Sequence, residues 1–149
     1  MGVALSEDEV WALLEESLTG ILTTVSPDGF AVPLPVWFVA LDRKIYLRTA
    51  RTSAKCRRIL RDNRVGFLVE SGERWAELRA VSMRALATIV ADDLLAARVM
   101  AARAVKYRGR GLGDDAPPAT MRHYSRTSAV ICLTPVVSPI SWDNSRIRR

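Results

Sequence analysis

Basic and hydroxyl-bearing side chains are concentrated at one predicted strand–helix junction. Arg48 and Thr49 end a predicted strand, and after a three-residue turn Ser53, Ala54 and Lys55 begin a predicted helix. A helix N-terminus has backbone N–H groups without partners and the positive end of the helix dipole, so it can bind a phosphate. The hydroxyls and the cations would add further hydrogen bonds. The junction is therefore a candidate anion site.

The surrounding segment is strongly basic. The chain has 149 residues, with 22 Lys and Arg against 16 Asp and Glu, and a net charge of +6. Residues 43–64 contain nine cations and one acid, Asp62. Cations in the first turn of a helix are unfavourable by about 0.3–1 kcal/mol each, which fits a docked anion. A solvated basic helix accounts for the same residues equally well.

Most signatures of catalysis and metal binding are absent from the sequence. It has no P-loop, no dinucleotide-binding glycine motif, no nucleophile elbow and no zinc-protease helix. The single histidine, His123, has no nucleophile motif beside it, and Cys56 and Cys132 lack the spacing of zinc ligands. We therefore expect no catalytic side chain and no metal site. Two unpaired thiols are typical of a reducing compartment, so the predicted location is the cytoplasm.

A helix and a series of short strands must position the junction. Ser6 and Glu9 have the spacing of a capping box, which predicts a helix over about 6–18 that stops at Gly20. No apolar run approaches the roughly 18 residues of a membrane span. Strands are predicted over residues 21–25, 30–41, 45–49, 65–69, 75–90 (one long strand or two short ones), 129–133 and 136–142. Pro33 and Pro35 make the second strand an edge, bent or interrupted one.

Further helices are predicted between the strands. They cover residues 53–63, 92–107 and, more briefly, 119–126. Their expected apolar faces are Cys56, Ile59 and Leu60 in the first, and Leu94, Leu95, Val99 and Met100 in the second. Six or seven antiparallel strands with peripheral helices predict one α+β domain over 1–149, built around a small barrel. A basic tail occupies about 144–149.

The order of these motifs resembles the pyridoxamine 5′-phosphate oxidase-like superfamily, and more narrowly its actinobacterial flavin/deazaflavin oxidoreductases. The motifs are Gly20-Ile21-Leu22-Thr23-Thr24, Pro27-Asp28-Gly29, Pro35-Val36-Trp37-Phe38, Ile45-Tyr46-Leu47-Arg48-Thr49, Ser53-x-Lys55-x-Arg57-x-Ile59, Arg64-Val65 and Ser141-Trp142-Asp143. The similarity runs from about Leu18 to Asp143. It implies a split β-barrel of the FMN-binding type that forms a homodimer with two cofactor sites at its interface. The implied cofactor is FMN or the 8-hydroxy-5-deazaflavin coenzyme F420.

The resemblance also implies roles for the residues of the junction. Lys55 corresponds to the family lysine that contacts the cofactor phosphate. Ser53 and Thr49 would be its hydroxyl or backbone partners. Arg48 would lie beside them, and Ala54 would contribute from the first turn of the helix.

Three residues are implied to lie near the cofactor ring. Val36 and Trp37 correspond to the strand that lies against it, and Trp75 to an aromatic position that the other subunit can supply. Core packing is the alternative for both tryptophans. Ala80 and Ala85 replace glycines that are frequent in relatives, and a methyl group there would crowd a ligand close to the backbone.

The implied activity is hydride transfer between the cofactor and a small organic molecule. A non-catalytic flavin or deazaflavin carrier or storage protein is the alternative within the same fold. F420 carries an oligoglutamate tail, which the cations Arg51, Arg57, Arg58, Arg61 and those of 146–149 would suit, although they fit a plain surface equally well. A basic nucleic-acid-binding module is a third hypothesis. Two features argue against it: the chain has no recognised module, and Tyr46 is the only aromatic residue among the cations of the basic segment 43–64.

Overall fold

A computed structural model describes residues 2–111 and 117–147, with the backbone alone for residues 123–126. Within these ranges the antiparallel strands are β1 Gly20–Val25, β2 Ala31–Val36, β3 Val39–Leu41, β4 Lys44–Ala50, β5 Arg64–Ser71, β6 Arg79–Ile89, β7 Ser128–Pro135 and β8 Ile140–Asp143. Seven of them form a curled sheet in the order β2-β1-β5-β6-β7-β4-β3, and β8 pairs with β6. The predicted α+β split β-barrel with peripheral helices is confirmed, with β8 as one strand more than the six or seven that were predicted.

Four α-helices surround the sheet in the described part of the chain. They are α1 Glu7–Glu16, α2 Ala54–Arg61, α3 Asp93–Lys106 and α4 Pro118–Thr127, with short 3-10 turns at Trp75–Glu77 and Asn144–Arg146. The caps predicted from the sequence are present: Ser6 and Glu9 form a capping box, and the Ser53 hydroxyl caps α2. None of the helices among these residues is long and apolar enough to cross a membrane.

Several predicted boundaries were wrong, and each has a tertiary cause. Helix α1 ends at Glu16, and Gly20 begins β1 instead of stopping the helix. A Cβ at Gly20 would lie 2.3 Å from the ring of Phe67, so packing against β5 requires the glycine. Residues 136–139 are not strand, because β8 begins only where Ile140 pairs with Ser82.

The proline-containing strand is interrupted, as the sequence predicts. It divides into β2 and β3 at Trp37 and Phe38, and we call these two residues the β2–β3 break. Strand β2 lies at an edge of the sheet. Of the predicted range 75–90, residues 75–77 form a 3-10 turn, and one long strand, β6 (Arg79–Ile89), follows it.

The core has two parts. The larger lies inside the half-barrel under α1 and includes Leu14, Phe38 and Phe67. The smaller lies between the sheet and α3, where Val99 is buried. The predicted helix faces were partly wrong: Leu94 is 84% exposed and Leu60 is 66% exposed, because each lies beyond the stripe that its helix presents to the sheet. The cysteines are buried and free, as expected.

Candidate functional site

A cleft of about 410 Å³ opens beside the β2–β3 break, and it contains four of the residues predicted for the site. Its lining residues are Thr19, Pro35, Val36, Trp37, Arg48, Lys55 and Arg103. The predicted members come from strand β2, the β2–β3 break, strand β4 and helix α2. Helix α3 supplies Arg103, which no motif indicated. The described residues that line the cleft include three cations and no carboxylate.

The beginning of α2 forms one side of the cleft. The Ser53 hydroxyl accepts a hydrogen bond from the Cys56 N–H at 3.1 Å and lies 3.1 Å from the Thr49 hydroxyl. These two hydroxyls build the cap, and neither residue is among those that line the cleft. Their predicted contact with a phosphate stays a prediction. The amides of Ala54 and Lys55, in the first turn, have no acceptor within the helix. These amides and the Lys55 ammonium are the groups that α2 offers to an anion.

Two cations of the cleft, Lys55 and Arg103, are each repelled by a neighbouring cation. Burial, and then the positive charge of Arg58, lower the pKa of Lys55. Burial, and then the charge of Arg48, lower the pKa of Arg103. A bound anion would offset both the repulsion and the lost hydration, so the electrostatics favour a ligand with negative charge.

The end of α3 positions Trp37 on the other side of the cleft. The ring of Tyr107 stacks on Trp37 with centroids 4.3 Å apart and planes 5° from parallel. The Tyr107 hydroxyl accepts from the Phe38 N–H at 2.8 Å and donates to the Leu18 carbonyl at 2.7 Å, with the Phe38 carbonyl at 2.8 Å. Burial raises the pKa of Tyr107, which keeps it a donor. Tyr107 thus fixes the β2–β3 break.

Two cations lie against these aromatic rings. The guanidinium carbon of Arg103 is 5.6 Å from the Trp37 centroid, and the Lys106 ammonium is 3.9 Å from the centroid of Phe38. Burial lowers the pKa of Lys106 to about 8. Within the described structure, Nε of Arg103 and Nζ of Lys106 are buried without a hydrogen-bond partner. Arg103 lines the cleft, whereas Lys106 does not.

Three residues singled out in the sequence lie away from the cleft. Trp75 is 65% exposed, and its carbonyl accepts from Asn144 at 2.8 Å. The structure therefore does not bring it to the cleft of its own chain. Ala80 and Ala85 are buried in β6, and neither lines the cleft. Their methyl groups do not narrow it.

Much of the remaining basic segment is engaged with nearby elements. Arg58 donates to the Thr24 hydroxyl at 2.7 Å, Arg57 donates to the Thr52 carbonyl at 2.8 Å, and Arg61 donates to the carbonyl of Val25. Arg146 contacts the Ala4 carbonyl and the Glu9 carboxylate. Residues 148–149 and the side chain of His123 lie outside the described part.

Sequence reasoning missed Arg103 and Tyr107. Both lie on the predicted helix, but they reach residues of the β2–β3 break more than sixty positions away in the chain. The only local signal was the presence of two cations and an aromatic residue in the last turn of α3.

Comparison with known proteins agrees with this architecture. Residues 6–136 match the family described as pyridoxamine 5′-phosphate oxidase. A conserved hypothetical protein of Mycobacterium tuberculosis is 30% identical, with a TM-score of 0.81 over 95% of this chain and 87% of that chain. No match was found among curated protein sequences.

Two further solved structures share the fold. A FAD-binding protein of Mycobacterium smegmatis is 20% identical, with a TM-score of 0.67 over 92% of this chain and 95% of that chain. An F420 reductase is 24% identical, with a TM-score of 0.64 over 85% of this chain and 92% of that chain. From the match over residues 6–136 and the half-barrel that carries the cleft, the chain belongs to the pyridoxamine 5′-phosphate oxidase-like family of split β-barrels.

Proposed function

We propose that this protein binds FMN or coenzyme F420 in the cleft and transfers hydride to or from a small organic molecule. One observation carries the proposal: Val36 and Trp37 lie on the same cleft as Arg48 and Lys55. An aromatic platform beside a cationic side suits a planar ring that is joined to a phosphate. The structural similarity to an F420 reductase and a FAD-binding protein supports the same class of ligand.

The residues present fit such a cofactor. The Lys55 ammonium and the first-turn amides of α2 would hold the phosphate, since charge-assisted bonds and the helix dipole act together there. Trp37, which Tyr107 holds in place, would orient the ring and exclude water from one side of it. The bound cofactor would supply the hydride chemistry. No acid or base lines the described cleft apart from its cations, so the protein would contribute binding and orientation.

We also propose a homodimer, in which the second subunit completes the site. The cleft is open to solvent, and Trp75 is 65% exposed. The family resemblance implies that Trp75 lies near the cofactor ring bound by the neighbouring subunit. Sedimentation equilibrium of the purified chain would test this, with a dimer expected and a monomer contradicting it. The two free, buried cysteines are the reason to propose a cytoplasmic protein.

Titration of the purified chain with FMN and with F420, side by side, tests the function. Saturable binding of one of them, followed by its turnover with quinone-like or enone acceptors, is the expected result. Saturable binding without turnover of any acceptor would indicate the carrier or storage protein. A chain that binds neither cofactor would contradict the proposal.

The nucleic-acid hypothesis predicts a different result. It requires affinity for DNA or RNA that falls steeply with salt, in the absence of a bound chromophore. The structure supports it poorly, because Arg57, Arg58 and Arg61 donate to groups of the protein itself.

A further inference from the structure

Arg103 reaches the cleft from α3, and its charge has no counterpart among the described residues of the cleft. Its Nε is buried without a hydrogen-bond partner, and the neighbouring charge is another cation, Arg48. Buried charges in proteins are normally paired, because desolvation without a partner is costly. Arg103 is half-buried, so its charge loses part of its hydration, and a ligand in the open cleft can supply the missing negative charge.

The aromatic rings locate this charge within the cleft. The guanidinium carbon of Arg103 lies 5.6 Å from the Trp37 centroid and 5.7 Å from that of Tyr107. Because these rings are parallel and 4.3 Å apart, a point nearly equidistant from both lies beside the stacked pair. The guanidinium therefore does not cover the face of Trp37 that is turned away from Tyr107. Arg103 lies on the side of the cleft formed by Trp37, whereas Lys55 lies on the side formed by α2.

We propose that Arg103 binds a second negative charge of the ligand, which lies on its ring system and is separate from the phosphate. This inference rests on the proposed function and narrows it. An 8-hydroxydeazaflavin has such a charge, because its ring hydroxyl is acidic and conjugated with an electron-poor ring. The oxidised ring of FMN has no ionised group near neutral pH. Arg103 thus favours an ionised hydroxydeazaflavin over oxidised FMN, which makes it the specificity-determining residue of the cleft.

Ligands with and without the phosphate separate the two charges. F420 and its phosphate-free hydroxydeazaflavin core form one pair, and FMN and riboflavin form the other. Arg103→Gln should weaken binding of F420 and of its phosphate-free core by the same factor, about tenfold. Its effect on FMN and riboflavin should be less than about threefold. Arg103→Lys, which keeps the charge, should restore most of the affinity.

The protonation state of the bound ring gives a readout that does not depend on turnover. The visible absorbance of the hydroxydeazaflavin reports ionisation of its hydroxyl, so the pKa of the bound chromophore can be titrated directly. Wild-type protein should lower that pKa relative to the free compound, and Arg103→Gln should raise it by about one unit, a tenfold change in the ionisation constant. Lys55→Ala should leave it unchanged.

Arg98→Gln is the matched control, since Arg98 also lies on α3 but is exposed and paired with Asp42 at 2.7 Å. It should bind all four ligands like the wild type. Two results would overturn the inference. One is an Arg103→Gln effect on binding that disappears when the phosphate is removed from the ligand. The other is an Arg103→Gln variant that leaves the pKa of the bound chromophore unchanged, because a change in its thermal stability alone would show only a structural role. If the wild type bound none of the four ligands, the proposed function itself would be refuted.

Discussion

The two helix ends that border the cleft are built in different ways. At the beginning of α2, Ser53 and Lys55 act within a single helical turn. At the end of α3, Tyr107 bonds to Phe38, 69 positions away, and to Leu18, 89 positions away. One side of the cleft therefore depends on local interactions in α2, and the other side depends on tertiary contacts of Tyr107. The α2 side offers its charge to a ligand, whereas the α3 side also stabilises the fold.

The two lysines of these helices show the same contrast. Burial lowers the pKa of both Lys55 and Lys106. Lys55 lines the cleft, where an anion can reach it, whereas the ammonium of Lys106 lies over the ring of Phe38. The lowered pKa therefore marks a candidate binding group at Lys55 and a packing contact at Lys106.

Replacing Lys55 should have the largest effect and should act on binding alone. Lys55→Ala removes the ammonium from the α2 side of the cleft, and we expect cofactor affinity to fall by about 1.5–3 kcal/mol, as for a lost hydrogen bond to a charged group. Titration calorimetry would measure this, and urea unfolding should show no loss of stability. Lys44→Ala, at the other end of β4, is the control. Equal affinities of the two variants would remove Lys55 from the site.

Removing the Tyr107 hydroxyl should act on stability. Tyr107→Phe keeps the ring but leaves the buried Phe38 N–H without its acceptor, which costs about 1–3 kcal/mol of unfolding free energy. Urea denaturation measures the change. Tyr46→Phe is the control: burial and the Cys132 thiol raise the pKa of Tyr46 to about 12, and a thiol is a weak partner. A loss no greater than that of the control would mean that Tyr107 does not hold the β2–β3 break.

The cap of α2 should have a smaller effect. Ser53→Ala leaves the Cys56 N–H without its acceptor, and the expected loss of stability is about 1 kcal/mol. Ser53→Asp, which retains a capping oxygen, should restore stability while placing a negative charge beside the anion site. We therefore expect it to bind the cofactor more weakly than Ser53→Ala does. The opposite order of affinities would show that α2 does not receive an anion.

The smallest effect concerns Lys106 and pH. Its folded pKa of about 8 lies below the unfolded value of about 10.4, so the unfolded state binds more protons between these values. The unfolding free energy should rise with pH through that window, by less than about 1 kcal/mol because the lysine is partly screened by solvent. Lys106→Met should lose this rise and Lys44→Met should keep it, in urea titrations at pH 7 and pH 10. If the unfolding free energies of both variants depended on pH in the same way, the rise could not be attributed to Lys106.

The accuracy of the sequence predictions follows the range of the interactions. The caps at Ser6 and Ser53 and the break after Pro35 depend on neighbouring residues, and they were predicted correctly. The end of α1 and the exposure of Leu94 depend on where other elements pack, and these were wrong. Lys55 and Trp37 were predicted for the site. Their shared cleft with Arg103 could not be predicted, since no sequence pattern in α3 indicates which residues Arg103 contacts.

The residue order alone determined the short strands and the cationic helix start, because turns, caps and strand alternation act over a few positions. The resemblance of its motifs to a known family indicated the family and the split barrel. Only the tertiary structure decided that the last turn of α3 meets the β2–β3 break. That meeting places the Tyr107 hydroxyl between distant backbone groups and Arg103 beside Trp37. The physical reason is that burial and charge pairing depend on distance in space, which sequence separation does not measure.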